Sequence, residues 1–147
     1  MEKTLLCMII ALCVLASQAN AASYTDNGNA TVTDNVTGLM WQQSDDNTTR
    51  GWEGAIAYCE ALILGGHSDW RLPNVKELKS IVDYGALNPA ANTAYFPSTK
   101  TSYYWSSTSF NKYTSEAWNV NFIDGYVGNN TNGKTYPNYV RCVRGGQ

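Results

Sequence analysis

Read by its hydrophobic pattern, the chain opens with an unbroken apolar run, passes a short hairpin and two helical stripes, and ends in strands. Thr31 to Thr33 and Leu39 to Gln43 have the character of two short strands, with Asn35 to Gly38 as the turn between them. Asp45 to Gly51 is a polar loop. From Trp52 to Leu64, apolar residues fall at 52, 55, 56, 59, 62 and 63, a helical stripe that carries Cys59. Gly65-Gly66 ends this predicted helix. A second helix is expected after Pro73, with Asn74 as cap and Glu77 at capping-box spacing. Val75, Leu78, Ile81 and Val82 form its apolar face, and Gly85 closes it. Ala86 to Thr101 has no period and contains Pro89 and Pro97. Long irregular loops of this kind either carry function or pack side chains such as Tyr95 and Phe96 onto the core.

The last third is strand-like. Tyr103 to Ser109 is one strand. Ala117 to Phe122 alternates, with Trp118, Val120 and Phe122 on one face and Asn119 and Asn121 on the other. Asp124-Gly125 turns the chain into Tyr126-Val127. Gly128 to Pro137 is a polar loop, and Tyr139 to Arg144 closes the domain, with Val140 and Cys142 on one face.

The first apolar run changes how the cysteines are read. One lysine in Met1 to Lys3 precedes Leu5 to Ala16, and Ala19-Asn20-Ala21 fits small-x-small cleavage. Residues 1–21 are therefore expected to be a cleaved signal peptide, and 22–147 a single exported domain. The run is short for a bilayer span. Of four cysteines, Cys7 and Cys13 leave with the signal, and neither sits in a lipobox. Cys59 and Cys142 remain. A pair in an oxidising compartment reads as a disulfide, with two buried thiols as the alternative. The bridge would tie the first helix to the last strand, and closing so long a loop contributes roughly 4–5 kcal/mol in the chain-entropy model.

Composition adds a core and removes some partners. Five Trp, ten Tyr and three Phe supply large buried area. The net charge of -2 and the scattered basic residues give no nucleic-acid footprint. Folding could still gather Lys100, Lys112 and Lys134. His67 and Asp69 sit two apart, but no Ser or Cys occupies a nucleophile elbow. Asp69 is read as tying down its own loop. Asp26, Asn29 and Asp34 form one oxygen-rich group and Asp45-Asp46 another, both with the chemistry of turns. Trp70 and Trp105 are read as core. No metal and no cofactor is expected.

Several motifs converge on one resemblance. Asp26-Asn27-Gly28, Thr31-Val32-Thr33-Asp34, Thr37-Gly38-Leu39-Met40-Trp41, Gly66 to Pro73, Tyr104-Trp105-Ser106-Ser107 and Val140 to Arg144 resemble the C-terminal domain of Legionella collagen-like protein. Arg71-Leu72-Pro73 and the closing strand also look like the formylglycine-generating-enzyme fold. The resemblance implies an α+β, C-type-lectin-like fold. Such a fold has two helices on a small mixed or antiparallel sheet, a long irregular loop and a helix-to-last-strand disulfide. Cys59 and Cys142 occupy the positions that disulfide would need. The collagen-like relative is an adhesin that binds sulfated glycosaminoglycans, but no collagen repeat precedes this domain. The superfamily's calcium-dependent sugar site needs carboxylates, and Asn88-Pro89-Ala90 and Trp118-Asn119-Val120 lack them.

The implied function is a non-catalytic binding or adhesion module, periplasmic, secreted or at the cell surface. The alternatives are an enzyme of formylglycine-generating type and a structural envelope subunit. The expected partner is a glycan or a protein, without nucleic acid or a membrane span, and with homo-oligomerisation left open. In this fold class the long loop and the loops between the last strands share one end. Ala86 to Thr101, Phe110 to Thr114 and Gly128 to Pro137 are thus expected to present Asn92, Tyr95, Asn111, Tyr113, Asn129, Asn130, Asn132 and Tyr136 together. Amides donate and accept, and tyrosines offer a flat face with a polar tip.

Overall fold

The Asn35 to Gly38 turn forms because Asp34 holds it from below. The Asp34 carboxylate accepts the Val36 amide at 2.9 Å and the Thr37 amide at 3.2 Å. The strands on either side are β2, Thr31–Asp34, and β3, Met40–Gln42, paired antiparallel with Val32 opposite Trp41. Both of those residues are fully buried. The structure, a computed structural model, describes residues 23–129 and 133–146. The expected signal peptide lies outside the described residues. So do Asn130 and Asn132.

Two antiparallel sheets, rather than one, make up the β structure. The first has the order β1-β2-β3-β7, where β1 is Tyr24–Asp26 and β7 is Val143–Arg144. The three residues of β1 are too short a run to show a period in sequence. The second sheet is a meander of β4 (Tyr103–Ser109), β5 (Ala117–Asn121) and β6 (Tyr126–Asn129). The closing strand is also shorter than its pattern predicts. Before β7, residues 138 and 139 make only isolated bridges, to Arg50 and in parallel to Tyr104. The Cys142 amide then donates to the side chain of Gln42 at 3.1 Å, which takes the place of a ladder bond.

Helix α1 spans Trp52–Glu60 and buries Ala55 and Cys59. It ends short of Leu64 because Leu64 and His67 exchange backbone hydrogen bonds at 3.0 Å around Gly65-Gly66. Both glycines have positive φ, 61° and 81°, as a two-residue primed turn requires. Ile63, placed on the helical stripe by its spacing, lies beyond the helix and is exposed. Helix α2 is Val75–Ser80, shorter than a Gly85 stop would give, and its Asn74–Glu77 capping box is complete. Glu77 also receives both guanidinium nitrogens of Arg71, at 2.8 and 2.7 Å.

Two hydrophobic clusters fill the interior. One joins Val32, Trp41, Leu78, Phe96, Tyr104 and Val120 between the sheets and α2. The other joins Ala55, Cys59, Trp70, Trp105, Val140 and Cys142 around α1. Trp70 and Trp105 are thus core, as read from sequence. The Cys59–Cys142 disulfide closes the second cluster. Asn119 and Asn121 are buried as well, so β5 is covered on both faces.

Candidate functional site

At one end of the three-stranded sheet, Ser109 closes β4 opposite Ala117 of β5. The loop between them folds on itself. The Phe110 amide donates to the Glu116 carbonyl at 2.9 Å, and the Tyr113 amide to the Phe110 carbonyl at 3.1 Å. Phe110 packs edge-on against Trp118 with ring centroids 5.1 Å apart. The segment after residue 132 docks beside this loop, with the Lys134 amide donating to the Ser115 carbonyl at 2.9 Å. Lys134 then reaches over the Trp52 ring at 3.9 Å and donates to the Ser109 hydroxyl at 2.9 Å. In return, the Trp52 amide donates to the Lys134 carbonyl at 2.7 Å. Three stretches distant in sequence, at Trp52, at residues 109–118 and at Lys134, therefore meet at this end. A shallow groove of about 300 Å³ runs along it between Trp52, Glu53, Lys134 and Thr135.

The exposed residues at this end include Asn111, Lys112, Tyr113, Thr114, Ser115, Thr135 and Tyr136. Tyr113 is 50% exposed and Tyr136 46%, high for side chains with so much apolar area. Asn129 faces β5 from β6 and donates to the Glu116 carboxylate. It supports the loop as much as it presents an amide.

The long loop lies elsewhere, which corrects the expectation of one shared end. The Ala90 amide donates to the Phe122 carbonyl at 2.7 Å and the Asn88 amide to the Ile123 carbonyl at 3.0 Å. Those acceptors follow the opposite end of β5. Tyr95 packs on Tyr24 with centroids 5.4 Å apart and is partly buried against the first cluster. Phe96 is fully buried. Asn92 lines a separate groove, beside Tyr24 and Tyr84. Tyr95 and Asn92 therefore do not join Asn111, Tyr113, Asn129 and Tyr136. Of the three lysines, Lys112 and Lys134 share the 110–116 end, and Lys100 belongs to the long loop.

Sequence reading missed the polar centre of the fold. Arg141 is 1% exposed between Phe96 and Tyr104. It donates to the Gln42 carbonyl at 2.9 Å and the Thr99 hydroxyl at 3.0 Å, and lies 3.6 Å from the Asp45 carboxylate. The Tyr104 hydroxyl also donates to Asp45, and burial pushes its pKa up. Burial pushes the Arg141 guanidinium down, against the pull of the neighbouring carboxylate. Asp45 thus both turns its loop, accepting the Asn47 amide at 3.0 Å, and neutralises a buried cation. The only hint in sequence was Arg141 between two residues of a buried face.

The other candidate groups have structural partners. Asp26 accepts the Gly28 amide, and Asp46 pairs with Arg50, whose hydrogen bond holds its carboxyl below the usual range. Asp69 is engaged through both oxygens by Arg144, at 2.7 and 3.1 Å. The His67 carbonyl accepts from the Trp70 indole at 3.2 Å. Among the described residues no group of three or more His, Cys, Asp or Glu is placed to hold a metal ion.

These features define a disulfide-stapled α+β domain with a loop end that carries exposed tyrosines. The Lcl C-terminal domain family model matches residues 30–144, and the chain belongs to that family. This is the family its motifs resemble. A search of curated proteins finds no match to the chain. The disulfide fits an exported domain. Among the described residues no helix is long and apolar enough to cross a membrane.

Proposed function

We propose that this domain is a non-catalytic binding module, secreted or displayed at the cell surface, whose ligand surface is the end built by residues 110–116 and 133–136. One observation carries the reading. Two half-exposed tyrosines and the amide of Asn111 are mounted on loops anchored by the Lys134–Trp52 and Phe110–Trp118 contacts. A fixed aromatic face loses little entropy on binding, and amides match hydroxyls as donors and acceptors. A glycan fits this chemistry best. Two further features support a non-catalytic reading. Asp69 is spent on Arg144 rather than orienting His67, and both cysteines are bonded and fully buried.

A glycan array probed with the folded protein tests the proposal, followed by the Tyr113→Ala/Tyr136→Ala double variant. The expected loss on the best ligand is about 1–2 kcal/mol or more. Unchanged affinity in a folded double variant would move the site away from this end. An array silent for glycans but positive for host proteins would change the ligand class. His67→Ala should leave binding intact; a turnover that this variant abolished would favour an enzyme instead.

A further inference from the structure

A second groove, of about 380 Å³, lies between the β2–β3 turn and the chain leaving α2. This size is within the range of small-ligand sites. Tyr24, Ile81 and Tyr84 give it apolar walls, Val36 stands exposed at its rim, and Asp34, Asp83 and Asn92 give it polar atoms. None of the described residues lining it is Lys, Arg or His. Each carboxylate uses one oxygen on the backbone. Asp34 Oδ1 accepts from Val36 and Thr37, and Asp83 Oδ1 accepts the Gly85 amide at 2.9 Å. No hydrogen bond or ion pair from a described residue reaches the second oxygen of either. For Asp34 that matters, because the residue is 3% exposed. Asp34 lines the groove, so the groove is where the remaining oxygen of this largely buried residue meets solvent. The Asp45 carboxylate, buried to a similar degree, has Arg141. Among the described residues, Asp34 has no such partner.

We propose that this groove binds a primary ammonium carried on an aliphatic stem, with the ammonium between Asp34 and Asp83 and the stem along Tyr24 and Tyr84. Aromatic faces attract such a cation as well as packing its methylenes. The Tyr24 phenol agrees with that field: burial, then Asp34 and Asp83, push its pKa up to about 12, so both negative charges bear on one spot. The site is separate from the 110–116 end and does not depend on the function proposed for it. Two sources carry the chemistry, a free diamine and the lysine side chain of another protein.

The test is an amide-resolved NMR titration at low salt with three probes. Cadaverine supplies the stem and the ammonium, pentanediol the same stem without charge, and Nα-acetyl-lysine methylamide the protein-borne form. Cadaverine is expected to shift the amides of Ser23, Tyr24, Thr37, Asp83 and Tyr84, and pentanediol to leave them in place. Shifts with the lysine amide as well would assign the source to protein side chains, and shifts with cadaverine alone to free diamines. Asp83→Asn keeps the acceptor for the Gly85 amide and removes the charge. It should weaken cadaverine by about tenfold or more, while Tyr113→Ala/Tyr136→Ala leaves it unchanged. If Asp83→Asn does not fold, Tyr84→Ala replaces it, with a several-fold loss expected. Equal response to cadaverine and pentanediol, or undiminished binding in the folded variant, overturns the proposal.

Discussion

Arg141 shows how one residue can carry more of the fold than its surroundings in sequence announce. A guanidinium has five donors, and burying it requires acceptors on several sides. They come from residues 42 and 99 and from the carboxylate of Asp45. Arg141→Met should therefore cost about 3–5 kcal/mol in urea unfolding, because it strands the Asp45 carboxylate. Adding Asp45→Leu should recover part of that loss; a double variant no more stable than the single would show that the pair is not coupled. Glu77 is the other residue with several tasks. Burial pushes its carboxyl up, but the hydrogen bonds from Arg71 and the Asn74 amide outweigh it and hold the group below its ordinary value. A lowered folded-state pKa means stability that is present above the unfolded value and lost as pH falls through the folded one. Glu77→Gln should then destabilise by about 1–2 kcal/mol at neutral pH. The gap to the native protein should close in acid below the carboxyl range. A gap independent of pH would place the effect in packing instead.

At the scale of elements, the capping box of α2 was legible because both of its partners lie within four residues. The end of α1 was not. The hydrophobic stripe continues to residue 63, yet the helix stops at Glu60. The chain turns there because Gly65 and Gly66 let Leu64 pair with His67, and because Thr31 and Asn29 close over Gly65. A Cβ on Gly65 would stand 2.7 Å from the Thr31 methyl, whereas nothing lies within 4 Å of one on Gly66. Gly66→Ala should thus cost only left-handed strain, about 1–2 kcal/mol. Gly65→Ala should cost clearly more. Thermal unfolding of the two variants checks the order, and equal losses would mean that Thr31 yields without cost.

For the whole molecule, the disulfide spans 83 residues, from α1 to the approach to β7. Cys59→Ala/Cys142→Ala should lose about 2–5 kcal/mol, largely by releasing the unfolded chain. A folded variant within a few tenths of a kcal/mol of the native protein would show that the bridge is redundant with the core around Trp70 and Trp105. The loops followed a different logic from the cysteines. The fold class implied by the resemblance placed three polar loops at one end, but β5 has two ends. The 110–116 loop leaves one, while Phe122 and Ile123, past the other, hold residues 88 and 90.

What the sequence by itself determined is local or strongly patterned. The hairpin of β2 and β3, the start of α2, the limits of β4, the buried face of Val140 and Cys142 and the family all follow from short motifs and spacing. The tertiary structure decided what depends on distant partners. It split the strands into two sheets, ended α1 early, buried Arg141 on Asp45, and joined residues 110–116 to 133–136 rather than to 86–101. Local pattern reports which face a residue turns to the core. It does not report which remote carbonyl, carboxylate or ring will be waiting there, and burial makes that partner decisive because an unpaired polar group has no water to fall back on.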